Sequence, residues 1–182
     1  MPLTLLLGGA GAGKSRLAAR LARAGGHPVV VVATAEARDE EMTERIRRHR
    51  ENRPPEWKTV EEPVNLEAAL ASVPEEATIL LDCLTLWVSN LLEHGASNEE
   101  VEDRAGKLAS MVASRRAASV VVSNEVGSGV VPANRLARRY RDLLGRVNAI
   151  WVEAADRSAL IVAGRVLPLA GPDALLEGER DG

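Results

Sequence analysis

Eight residues near the start constrain this chain more than any others. Gly8, Gly9, Ala10, Gly11, Ala12, Gly13, Lys14 and Ser15 satisfy the pattern G-x-x-x-x-G-K-[ST]. An apolar run at 3–7 precedes them and a helical pattern at 14–24 follows. A strand, loop and helix of this kind turn successive backbone N–H groups toward one anion, and the positive end of the helix dipole reinforces them. Lys14 then reaches the terminal phosphates of a nucleoside triphosphate, and the Ser15 hydroxyl can ligate Mg²⁺. The bland alternative, a glycine-rich turn that merely ends in Lys-Ser, has both the fixed spacing and the flanking elements against it. A companion follows the apolar run at 79–81, where Asp82 brings a carboxylate to the same edge of a sheet and can hold Mg²⁺ or its water.

Short apolar runs alternate with longer helical patterns, which is the signature of an α/β chain built on a mostly parallel sheet. The runs at 3–7, 29–33, 79–81 and 119–123 are continuous rather than alternating, as strands covered on both faces should be. A fifth strand at 157–163 and a hairpin partner at 166–169 join at Gly164-Arg165, with 150–152 competing for strand status. Helices are expected at 14–24, 40–52, 98–114 and 134–147. The last of these places Leu136, Tyr140, Leu143, Leu144 and Val147 on one apolar stripe. Pro54-Pro55 and Glu61-Glu62-Pro63 mark an irregular segment after the second helix. The expectation is a single P-loop NTPase domain over 1–170, with a central sheet flanked by helices and a C-terminal β-hairpin, and a polar tail at 171–182.

Composition narrows the partners. With 26 acidic residues against 23 Lys and Arg, the chain has no basic excess to coat nucleic acid, so small-molecule partners are expected. Cys83 is the single cysteine, which excludes an intrachain disulfide and suits a core thiol in a reducing, cytoplasmic setting. No apolar run approaches the ~20 residues of a membrane span. His27 and His94 read as loop residues, and no His/Cys cluster has metal-ligand spacing.

Further segments then become specific. Ala33-Thr34-Ala35 follows the second strand, and Arg45-Ile46-Arg47-Arg48-His49-Arg50-Glu51-Asn52-Arg53-Pro54 ends the second helix. Trp57 to Pro63, Leu81-Asp82-Cys83-Leu84-Thr85, Ser123-Asn124-Glu125 and Asn134-Arg135-Leu136-Ala137-Arg138 complete the set. Taken in order over about 3 to 169, the chain closely resembles the bifunctional adenosylcobinamide kinases/adenosylcobinamide-phosphate guanylyltransferases of cobalamin biosynthesis. The resemblance implies a RecA-like P-loop fold, a homotrimer, and two reactions. Adenosylcobinamide is phosphorylated by ATP or GTP, and GMP then passes from GTP to that phosphate, releasing pyrophosphate. It implies His49 as the residue that carries GMP covalently. It also implies nucleotide contacts from Gly8 to Ser15, Ala33, Thr34, Ala35, Arg50, Glu51, Asn52, Arg53, Glu61 and Asp82.

Simpler readings stand beside these. Met42, Ile46 and His49 fall at i, i+4 and i+7, so His49 can also edge an apolar stripe. The neighbouring arginines can be a solvated face, Glu61 an exposed loop carboxylate, and Ser123-Asn124-Glu125 the turn chemistry of the Gly127-Ser128-Gly129 loop. Gly11-Ala12 stands where family members commonly carry an arginine and a small polar residue; the backbone cradle survives the change because it uses N–H groups. Two rival functions remain: a kinase that uses His49 only structurally, and a RecA-like nucleotide switch without turnover.

Overall fold

The computed structural model describes residues 3–26 and 28–174. The expectation for His27, and all but the first residues of the predicted tail, lie outside that range. Seven strands form one sheet in the order β3-β2-β4-β5-β1-β6-β7. They are β1 (Leu3–Gly8), β2 (Val29–Ala33), β3 (Lys58–Glu61), β4 (Thr78–Asp82), β5 (Ser119–Val122), β6 (Arg157–Val162) and β7 (Arg165–Pro168). Six helices connect them: α1 (Lys14–Ala24), α2 (Glu40–Glu51), α3 (Leu66–Ala71), α4 (Leu84–Glu93), α5 (Asn98–Ala113) and α6 (Arg135–Ala154). Neighbouring strands are parallel except β6 and β7, which form the antiparallel C-terminal hairpin. This is the P-loop, RecA-like α/β arrangement that the sequence leads one to expect.

The apolar runs are continuous because both faces of the sheet are covered. Leu5, Val32, Ile79, Leu81 and Val121 turn to a large core with Trp87 of α4, Leu108 of α5 and Trp151 of α6. Their neighbours Leu6, Val31, Leu80 and Val120 turn to a smaller core under Ala18 and Ala22 of α1. Small residues on α1 let that helix lie close to the strands. No helix among the described residues is long and apolar enough to cross a membrane.

Three expectations are corrected. The irregular segment after α2 contains β3, an exposed parallel strand with one half-buried apolar residue, Val60. An edge strand that packs only Val60 against the core carries no hydrophobic run, and the flanking prolines masked it. The competing strand at 150–152 is helical, because Trp151 continues the α6 stripe one turn past Val147 and both are fully buried. Leu136 is 62% exposed, since the first turn of α6 projects beyond the core that holds Leu143 and Leu144.

Register builds the site. Glu61 of β3, Ala33 of β2, Asp82 of β4 and Val122 of β5 lie in one row across the sheet. Beside them β1 ends at Gly8. The carboxyl edge of the parallel sheet therefore presents two carboxylates on the phosphate loop's side, Asp82 two strands from β1 and Glu61 on the far β3 edge.

Candidate active site at the carboxyl edge of the sheet

The loop between β1 and α1 has the conformation its glycines permit. Gly8, Gly11 and Gly13 all have positive φ, at 148°, 70° and 100°. A Cβ on Gly8 would also lie 2.4 Å from the Ile161 carbonyl oxygen, so close packing against β6 demands glycine there. The hairpin turn reinforces the loop, with the Gly164 N–H donating to the Ala12 oxygen at 2.9 Å. Lys14 folds back across the loop, its Nζ donating to the oxygens of Gly8 at 2.8 Å and Gly9 at 2.7 Å. Burial pulls its pKa below the ordinary lysine value, an effect that Cys83 and Asp82 oppose. The ammonium is thus held in the loop's concavity on two weak acceptors, which phosphate oxygens can replace.

Asp82 owes its position to buried polar contacts. The Thr34 N–H donates to the Asp82 oxygen at 3.1 Å, the Thr34 hydroxyl donates to the Cys83 oxygen at 2.7 Å, and the Cys83 N–H donates to that hydroxyl at 2.8 Å. Buried Asn90 of α4 donates to the oxygens of Thr34 and Pro63, at 2.9 and 3.0 Å. Thr34 therefore reaches the predicted edge with its N–H, hydroxyl and carbonyl all engaged inside the protein, and it positions neighbours. Burial raises the Cys83 thiol to about 11, so it is neutral, but it is only partly buried and lines a hollow at this edge instead of lying in the core as expected.

Helix α2 crosses this edge. Asp39 caps it, accepting from the Met42 N–H at 2.7 Å, and no residue of the helix is fully buried. Met42 and Ile46 line a small hollow with Ala33, Cys83 and Leu86, and His49 ends the same stripe. The stripe that seats the helix also brings the His49 Nδ1 to 3.5 Å from Asp82 Oδ2. Arg53 lines this hollow as well; burial lowers its pKa, with Asp82 and Glu61 opposing. Ser15, Asn52, Arg53, Asp82 and His49 share a second, larger cleft against α1, of about 460 Å³.

The structure sorts the remaining candidates. Glu61 and Arg50 form an ion pair at the outer rim. Glu51 pairs with Arg47 in the depression outside α2, away from the His49 cleft. Ala33 and Ala35 wall the hollow, and Gly9, Ala10 and Gly11 are exposed at the loop tip. Ser123 is fully buried, its hydroxyl donating to Asn148 Oδ1 at 2.7 Å, and the Glu125 carboxylate accepts from the Gly127 N–H at 2.5 Å. Turn chemistry accounts for Glu125, and a buried contact with α6 accounts for Ser123.

A hard divalent cation fits this place. The Ser15 and Asp82 side chains are oxygen donors lining one cleft, beside the glycine loop. Among the described residues there is no cluster of three or more His, Cys, Asp or Glu that could cage a metal by itself. Mg²⁺ held through nucleotide phosphates and water needs only one or two protein oxygens.

Comparison with known proteins decides the family. The profile of the cobinamide kinase / cobinamide phosphate guanyltransferase family matches residues 4–169. The chain belongs to this family. It is 44% identical over 174 residues to the bifunctional adenosylcobalamin biosynthesis protein CobP of Pseudomonas aeruginosa, across 92% of this chain and 96% of that protein. It is 38% identical over 177 residues to CobU of Salmonella typhimurium, likewise named a bifunctional adenosylcobalamin biosynthesis protein, across 89% and 96%. Among solved structures, the P4 protein of bacteriophage phi6 in complex with ADP aligns over 91% of this chain and 52% of that one, at TM-score 0.47 and 14% identity.

Sequence reasoning passed over part of this family member's cleft. Arg16, Arg20 and Arg23 of α1 and Trp57 line it, and Arg45 of α2 lines the smaller hollow. The available signal was the α1 segment KSRLAARLARA, which has arginines at i, i+4 and i+7 and no acid.

Proposed function

We propose that this chain phosphorylates adenosylcobinamide with ATP or GTP and then transfers GMP from GTP to adenosylcobinamide phosphate through His49. The observation that carries the second step is His49 Nδ1 facing Asp82 Oδ2 at 3.5 Å, beside the cleft that Ser15 and Arg53 share. With Nδ1–H turned to the carboxylate, Nε2 keeps its lone pair and is the nucleophile. It attacks the α-phosphorus of GTP, the N–P bond forms, and the bond to the bridging oxygen breaks with its electron pair leaving on pyrophosphate. The ring becomes cationic, and Asp82 balances that charge without a proton moving. In the second half an oxygen of the acceptor phosphate forms the P–O–P bond, the N–P bond breaks, and its electron pair returns to Nε2.

The phosphate loop supplies the other half. Backbone N–H groups of the loop receive the phosphates, and Lys14 exchanges its two carbonyl acceptors for phosphate oxygens. Mg²⁺ at Ser15 and Asp82, when bound, neutralises charge on the phosphates. Arg53, held near Asp82 and Glu61, is placed to counter charge at the α-phosphate. Residues 1–170 act as one catalytic domain, in a homotrimer in the cytoplasm; a sedimentation mass other than a trimer's would remove the assembly from this reading.

Incubation with GTP labelled at the α-phosphate tests the chemistry. The wild type takes a label that acid removes and alkali does not, as a phosphoramidate requires, and His49→Ala takes none. Equal label on His49→Ala, or no label on the wild type, overturns the histidine route.

A further inference from the structure

The cleft beside His49 has a wall with no role in either reaction as described so far. Arg16, Arg20 and Arg23 stand on one face of α1, spanning about 10 Å along its axis at ~1.5 Å per residue. Asn52, Arg53 and Trp57 line the same groove, together with Ser15 and His49.

Half of the other described arginines, Arg38, Arg47, Arg50 and Arg104 among them, have a carboxylate within ion-pair distance. Arg16, Arg20 and Arg23 have none among the described residues, and α1 contains no acidic residue to supply one. In a chain with formal net charge -3, three unopposed guanidiniums in one concave wall are a concentration of positive potential facing the catalytic mouth. Asp82 is the sole carboxylate on the groove's lining.

We propose that this groove is a second phosphate-binding site, distinct from the glycine loop, which holds the phosphomonoester of the guanylyl acceptor as it attacks GMP on His49. The proposal rests on the guanylyl-transfer reading above. Its physical basis is charge. The acceptor brings a phosphate dianion against a phosphorus that already carries an anionic oxygen, and like charges brought into contact repel. Guanidinium forks are suited to opposing that repulsion, because they engage two phosphate oxygens at once. Three of them a turn apart allow the phosphate to be handed toward His49. Adenosylcobinamide without its phosphate gains nothing from these arginines, so the groove also distinguishes the product of the kinase step from its substrate.

The test compares the wild type with the double variant R20Q/R23Q, which changes two exposed residues and leaves Arg16 and Arg53 at the mouth. Calorimetric titration is done with adenosylcobinamide phosphate and with adenosylcobinamide, and His49 labelling by α-labelled GTP is followed without acceptor. The wild type is expected to bind the phosphorylated corrinoid at least tenfold more tightly than the unphosphorylated one. R20Q/R23Q is expected to lose that margin while His49 labelling stays within twofold. A margin that persists in the variant overturns the proposal. So does labelling that falls in parallel with binding, since the groove would then hold the pyrophosphate of GTP. If the wild type takes no label at all, the histidine route fails on its own, and the titration arm still decides whether the groove recognises phosphate.

Discussion

Charged residues are treated differently at the catalytic mouth and on the α5–α6 side of the molecule. On α5, Arg104 donates to both oxygens of Glu67 at 2.7 Å and to the Val64 oxygen at 2.7 Å, and lies 5.7 Å over the Trp87 ring. Arg139 of α6 reaches Asn98 Oδ1 at 2.7 Å and the Ala96 oxygen at 2.9 Å, and Arg146 reaches Glu102 at 2.8 Å. These donors are matched within the fold and tie helices to loops. At the mouth, Lys14 rests on two carbonyls, His49 stands 3.5 Å from Asp82, and the α1 arginines have no acid within ion-pair distance among the described residues. Groups matched inside the protein serve stability, and groups left short of partners are available to a ligand.

That contrast breaks most readily at His49. His49→Ala is expected to lower guanylyl labelling by more than about a hundredfold, while the thermal midpoint moves little, because the residue is half-exposed. A loss of midpoint matching the loss of label would make His49 a structural residue. Lys14→Ala is the next largest, with kcat for phosphoryl transfer falling about 10²- to 10³-fold in a steady-state assay and folding retained. If His49 labelling survives that change intact, the two steps use separate nucleotide sites.

On the other side the expectation reverses. Arg104→Ala should cost about 2 kcal/mol in urea unfolding, since it strands a half-buried Glu67 carboxylate and removes charge-assisted hydrogen bonds. Guanylyl labelling should be unchanged; a loss of labelling would erase the division between the two regions. Arg104 also holds the Glu67 carboxyl below the usual carboxylate range. The stability from that pair is therefore present at neutral pH and is lost as pH falls through the lowered pKa.

The smallest effect is spectroscopic. Tyr140, the only tyrosine, is raised to about 12 by burial and then by Cys83, and its hydroxyl donates to the Thr85 oxygen at 3.3 Å. Absorbance titration should show the phenolate appearing near pH 12 in the folded protein and near the ordinary value in urea. Its contribution to stability is complete below about pH 10 and is lost as pH rises through 12. A folded-state midpoint near 10 would place Tyr140 in water and loosen the packing described for α6.

Much of this was legible in the residues. The four central strands and the phosphate loop are local patterns, and Asp82 could be placed at the loop's edge because parallel strands all end on the same side. What escaped had no local signature. The β3 strand has one half-buried residue and needs β2 beside it to exist. The α4 helix is apolar around most of its girth, so it shows little amphipathic period. The arginines of α1 have no local signature, because whether a described carboxylate lies within their reach is decided by elements far away in the chain.

The sequence by itself determined that a phosphate-holding loop would join a buried strand to a helix, since glycine freedom, strand burial and helix start are set by neighbours in the chain. Only the tertiary structure decided that His49 meets Asp82, that Glu51 turns away to Arg47 while Arg53 turns in, and that three arginines of α1 find no carboxylate among the described residues. Those outcomes depend on the register of separate strands and on where α2 crosses the sheet. Coulomb attraction acts through space, so chain spacing alone does not choose each charge's partner.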